Sequence, residues 1–82
     1  MKPMEVIRAY RSPVTFLGEK YDIIMFELHD NYELYAAPAD GSYGMENMFA
    51  LPVADTTPED AMEAGIVSAP GYIAIFRREN WK

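Results

Sequence analysis

The sequence has no cysteine and only one histidine, His29. The first absence removes disulfides, thiolate metal sites, iron–sulfur clusters and cysteine nucleophiles together. With a single His, and no serine set in an activating pattern, nucleophilic catalysis lacks its usual parts. The glycines around residues 18, 41–44 and 65 form no phosphate-binding pattern after a strand. Long apolar runs are missing too, so no membrane-crossing helix is expected. The opening stretch MKPMEVIRAYRSPVTFLGEKYD is broken by Glu5, Arg8 and Arg11 and lacks the apolar centre of a secretion signal. Small secreted domains usually carry disulfide staples, so the expected compartment is the cytoplasm.

Positive charge is absent from most of the chain. Residues 21–76 hold Asp22, Glu27, Asp30, Glu33, Asp40, Glu46, Asp55, Glu59, Asp60 and Glu63, and not one Lys or Arg. The bases sit at the two ends: Lys2, Arg8, Arg11 and Lys20 before this stretch, and Arg77, Arg78 and Lys82 after it. The formal net charge is −6. A surface of one sign steers partners of the other and repels phosphate backbones. Direct nucleic-acid binding through the acidic stretch is therefore not expected. The plain alternative is that these acids keep a small protein soluble.

What is present is ample apolar material, 50% of the chain with 13% aromatic, which argues against disorder. Eighty-two residues suffice for a single compact domain spanning 1–82 with one thin core. Residues 4–11, MEVIRAYR, have strand character, and Ser12-Pro13 is expected to end that strand. VTFL at 14–17 is β-prone, with Gly18-Glu19 as the turn into the next strand; a single helical turn begun by Ser12-Pro13 and ended by Gly18 is the competing reading. Residues 20–29 form the longest β-like run. Asp30-Asn31 suits a two-residue turn, and 32–37 suits the returning strand, with His29 opposite Tyr32 and Glu27 opposite Leu34. Both faces of this hairpin carry apolar residues, which implies a central position or a partner on one face. Residues 38–47 read as a loop, and 48–53 as either a short edge strand limited by Pro52 or a buried apolar clip. Thr57 is a good N-cap, Pro58 suits the first helical position, and Glu59 and Asp60 complement the helix dipole. Gly65 is the expected stop, giving a short helix over 58–64. Ala69-Pro70-Gly71 then reads as a turn and 72–78 as a last strand. The class is α+β: an antiparallel sheet of four to five strands with one short helix packed on it.

Few groupings bear chemistry. Glu27, His29, Asp30 and Glu33 gather at the hairpin tip and have the donor types of a divalent-cation site. Arg8, Tyr10, Arg11, Arg77, Arg78 and Trp81 would make a basic aromatic surface if the first and last strands were neighbours. The stretch with Tyr32, Tyr35, Tyr43, Met45, Met48 and Phe49 is rich in side chains favoured at adaptable interfaces. The leading expectation is a non-enzymatic protein without cofactor or bound metal. It binds another protein through Glu27, Asp30, Tyr32, Glu33, Asp40, Tyr43, Glu46, Phe49, Glu59, Asp60 and Glu63. A basic partner surface most often belongs to a nucleic-acid-binding protein, so an inhibitor of the kind a phage or mobile element encodes is the sharper form. The alternatives are a metal-dependent enzyme or metal-responsive module at the hairpin tip, and a structural subunit that oligomerises by sheet edges.

Overall fold

The computed structural model describes residues 5–82. Four strands run antiparallel in chain order: β1 (Arg8–Phe16), β2 (Glu19–Glu27), β3 (Asn31–Pro38) and β4 (Glu46–Pro52). A single 3₁₀ turn at Val53–Asp55 leads to one helix, α1 (Pro58–Glu79), which packs across one face of the sheet. The class is the expected α+β; the edge strand expected over 48–53 is Glu46–Pro52, so Glu46 and Asn47 are strand rather than loop and Val53 begins the 3₁₀ turn.

Several boundaries differ from the sequence reading, each for a physical reason. The two strands expected over 4–11 and 14–17 are one, Arg8–Phe16: residues 5–7 precede it, Leu17 belongs to the turn, and Met4 lies outside the described residues. Pro13 pairs with Asp22 inside β1. β1 is an edge strand, and on an edge every second N–H faces solvent, so a proline there need not break the ladder. The β1–β2 turn is Leu17-Gly18, between the pair Phe16 and Glu19, and both residues have positive φ, 52° and 77°. That is the mirror-image turn geometry that matches strand twist. In the β2–β3 hairpin Glu27 pairs with Tyr32 and Met25 with Leu34, so the central turn residues are His29-Asp30, not Asp30-Asn31. The register is displaced by two residues. A displacement of two leaves every side chain on its own face.

The largest correction concerns the last third of the chain. α1 runs 22 residues, straight through Gly65, Pro70 and Gly71, and the expected strand over 72–78 is helical. Thr57 Oγ1 accepts a hydrogen bond from the Asp60 N–H at 3.1 Å, so the start is as expected. The helix continues because its buried positions recur at helical spacing: Ala61, Gly65, Ala69, Ile73 and Phe76. At Gly65 a Cβ would come within 2.3 Å of Leu34 Cδ2, so this glycine sets how closely helix and sheet approach. Proline in a helix interior costs about 3 kcal/mol. Burying Ile73 and Phe76 beyond it returns roughly 1.5–3 kcal/mol each.

The core lies between α1 and the sheet, with Ile23, Met25, Leu34 and Ile73 fully enclosed. The other face of the sheet has no helix over it. There Phe26 meets Tyr35 edge-on at 5.4 Å, and Arg11 pairs with Asp22 at 3.7 Å. No helix among the described residues is long and apolar enough to cross a membrane.

Candidate functional site

β1 begins, the β2–β3 hairpin turns, β4 ends and α1 starts at the same end of the sheet. The Val53 N–H donates to the Asp30 carbonyl at 3.0 Å, which ties the hairpin tip to the segment leading into the helix. This end gathers Glu27, Asp30, Asp55, Glu59, Asp60 and Glu63. Among the described residues its one neighbouring cation is Arg8, opposite Glu27 in the ladder.

A groove of about 350 Å³ opens here between β1 and the first turns of α1, lined by Tyr10, Pro58, Glu59, Met62, Glu63 and Ile66. Its lining is mostly apolar, and Glu59 and Glu63, one helical turn apart, supply its charge. Glu59 is placed by the cap and dipole at the helix start, and Glu63 by the helical repeat. Neither forms an ion pair among the described residues. Tyr10, on the helix-covered face of β1, donates its hydroxyl to Glu27 Oε1 at 3.1 Å. The Tyr32 phenol is pushed above the usual tyrosine range, first by burial, then by the charge of Glu27, with Tyr10 and Glu59 adding. Glu27 of β2 and Glu59 of α1 thus both act on the same phenol. A long basic side chain fits such a place: an aliphatic stem can lie on Met62 and Ile66, and its charged head can reach the two glutamates and the Tyr10 ring.

The remaining candidates are placed elsewhere. Asp40, Tyr43 and Glu46 sit at the opposite end of the sheet, since Glu46 pairs with Ala36 near the end of β3. Strand β3 alone separates the two ends by roughly 24 Å. Asp40 accepts the Ser42 N–H at 2.9 Å, and hydrogen bonds from Ser42, side chain first, hold its carboxyl below the usual range. Glu33 lies on the uncovered face, where it accepts the Tyr35 hydroxyl at 2.9 Å; this bond is the main reason the Tyr35 phenol is raised. Tyr32 is only 3% exposed and belongs to the core, so it is no surface anchor. Phe49 is half-buried against Tyr72, with ring centroids 5.7 Å apart. The eleven residues therefore do not form one face.

The cation site imagined at the hairpin tip is split by the pleat. Glu27 belongs to the helix-covered face and Glu33 to the other, and no group of three or more such side chains is placed to hold a metal among the described residues. The basic aromatic surface is likewise dispersed. Its last strand is helical, Trp81 is buried, and Tyr10 and Arg11 point to opposite faces of β1. The sheet edges are also poor templates for pairing. β1 carries Pro13, and β4 carries Pro52 and a bulge at Met48.

The sequence reading missed Tyr10, Met62 and Ile66. The available signal was the spacing of Pro58, Met62 and Ile66, which places them on one helical stripe beside the buried one. At the far end a second groove, about 710 Å³, is lined in part by Lys20, Tyr21, Asp40, Tyr43, Arg77 and Trp81. There Arg77 pairs with Glu19 at 3.4 Å and donates to the Tyr21 hydroxyl at 3.1 Å. The Tyr21 phenol is raised, first by burial and then by its bond to Glu19, with Arg77 opposing. No family model, curated protein or solved structure matches the chain.

Proposed function

We propose that this chain is a non-enzymatic cytoplasmic protein that binds a basic surface of another protein through the groove between β1 and the start of α1. The observation that carries this reading is the pair Glu59 and Glu63, two carboxylates without an ion pair among the described residues, on the rim of an apolar groove. Glu27, Asp30, Asp55 and Asp60 surround it with charge of the same sign. Such an arrangement speeds encounter with a cationic partner and gives one inserted Lys or Arg side chain a specific seat. The sharper form of the reading is an inhibitor that occupies the nucleic-acid site of its partner. The acidic end then takes the place of a phosphate backbone.

The test is capture from nuclease-treated lysate over a salt series, with the parent chain and a Glu59→Gln/Glu63→Gln variant. The expected result is a basic nucleic-acid-binding protein, retained at low salt, lost as salt rises, displaced by added nucleic acid and held at least tenfold more weakly by the variant. Equal retention by parent and variant, with both folded, overturns the reading.

A further inference from the structure

The side of α1 turned away from the sheet has no partner among the described residues. Glu63, Val67, Pro70, Gly71, Ala74 and Arg78 run along it, all exposed, with Ile66 and Ile75 on its flanks. Val67 is 73% exposed. From Ala64 to Phe76 the helix carries no charge at all.

Gly71 is the informative residue. Glycine is among the poorest helix formers, and in a helix interior it calls for a reason. Gly65 has one, the close approach of Leu34. Gly71 has none inside the protein. A Cβ there meets nothing within 4 Å, and its φ is not in the left-handed region. An exposed helical glycine beside small neighbours allows another backbone to come close from outside.

The charges on the same stripe indicate what comes close. Asp60 and Glu63 lie on it in the first turns and Arg78 in the last, so the face is acidic at one end, apolar in the middle and basic at the other. Arg78 is 72% exposed and has only its neighbour Glu79, at 3.9 Å. A surface with that order is complementary to itself when reversed. We propose that α1 pairs antiparallel with α1 of a second copy of this chain, about a two-fold axis passing between Pro70 and Gly71. The axis sets Val67 against Ala74 of the second copy, and Glu63 and Asp60 beside Arg78 of the second copy, twice over, as an isologous interface requires. A parallel pairing would set acid on acid and base on base. One helix face lies at the low end of specific interfaces, below about 1,200 Å² in total, so the dimer is a concentration-dependent one.

Sedimentation of the full chain across the micromolar range tests this. The expected result is a monomer–dimer equilibrium. Gly71→Leu weakens it at least tenfold without lowering the melting temperature, because the added side chain meets nothing in the monomer. Glu63→Lys and Arg78→Glu each weaken it by about tenfold, and the two together restore it to within a few-fold, since reversal of both partners rebuilds the pairs. Monomer at every concentration overturns the proposal, as does a dimer that Gly71→Leu and both single reversals leave unchanged. Glu59→Gln, which touches the groove and not the two-fold pairs, leaves the dimer as it is.

Discussion

At the end of the sheet where β1 turns into β2, Arg77 reaches Glu19 and Tyr21, Trp81 stacks on Tyr21 at 5.7 Å, and the Tyr43 hydroxyl donates to the Lys82 carbonyl. At the other end Glu59 and Glu63 stand over Met62 and Ile66 with no ion pair among the described residues. Glu19, Asp40, Glu46 and Glu79 at the first end are balanced in number by Lys20, Arg77, Arg78 and Lys82. Glu27, Asp30, Asp55, Glu59, Asp60 and Glu63 at the second have, among the described residues, only Arg8. The first end uses its polar groups to hold the returning helix down. The second relies on the Thr57 cap and backbone bonds for the same job, so its carboxylates contribute little to holding the chain together. Acids that the fold does not use, beside apolar surface, are what a binding site needs.

The comparison breaks first at Trp81. Its ring is 8% exposed and packs on Tyr21 and on Phe76, 5.3 Å away. Trp81→Ala should cost about 3 kcal/mol, within the range for large aromatic truncations, as read by denaturant unfolding. If the stability loss is under about 1 kcal/mol, the tied end is not what anchors the helix.

A second effect appears at high pH and draws on both ends. Tyr21 at one end and Tyr32 at the other both have raised phenols, with Tyr35 between them on the open face. Above pH about 10 the unfolded chain loses these protons while the folded chain keeps them. The unfolded state then binds fewer protons, so stability is full below that pH and falls as pH rises through the folded values. Tyrosinate absorbance and circular dichroism followed together should show ionisation arriving with unfolding. Ionisation well before unfolding would mean the phenols are more open to water than their burial suggests.

The smallest expected effect sharpens the contrast most. Glu59→Gln/Glu63→Gln, which should weaken partner capture at least tenfold, should change the free energy of unfolding by less than about 1 kcal/mol, the loss limited to the dipole contribution of Glu59. A larger loss would place these carboxylates among the structural groups.

Much of this was legible in the residues, and the failures share a cause. The faces of β2 and β3 follow from alternation alone, which is why Met25, Leu34 and Ala36 were placed together even though the turn was one residue out. The start of α1 was legible because Thr57, Pro58, Glu59 and Asp60 act through local geometry. Its length was not. Gly65, Pro70 and Gly71 are helix breakers by propensity, and YIAIFRR alternates as a strand does, but packing on Leu34 and Ile23 outweighs both signals. The acids of the candidate site were visible as acids. The groove was not, because Tyr10 and Met62 are 52 positions apart in sequence and meet only when the whole helix crosses the sheet. Tyr32 was misplaced for the same reason: an aromatic beside acids reads as surface until something covers it.

The order of elements also bears on synthesis. Each strand pairs with the one made just before it, so the meander can assemble as it leaves the ribosome. Its apolar side, with Ile23, Met25 and Leu34, has no cover until residues 58–79 have been added. A meander that forms before α1 docks therefore exposes that apolar side, and docking of the helix is the step that closes it.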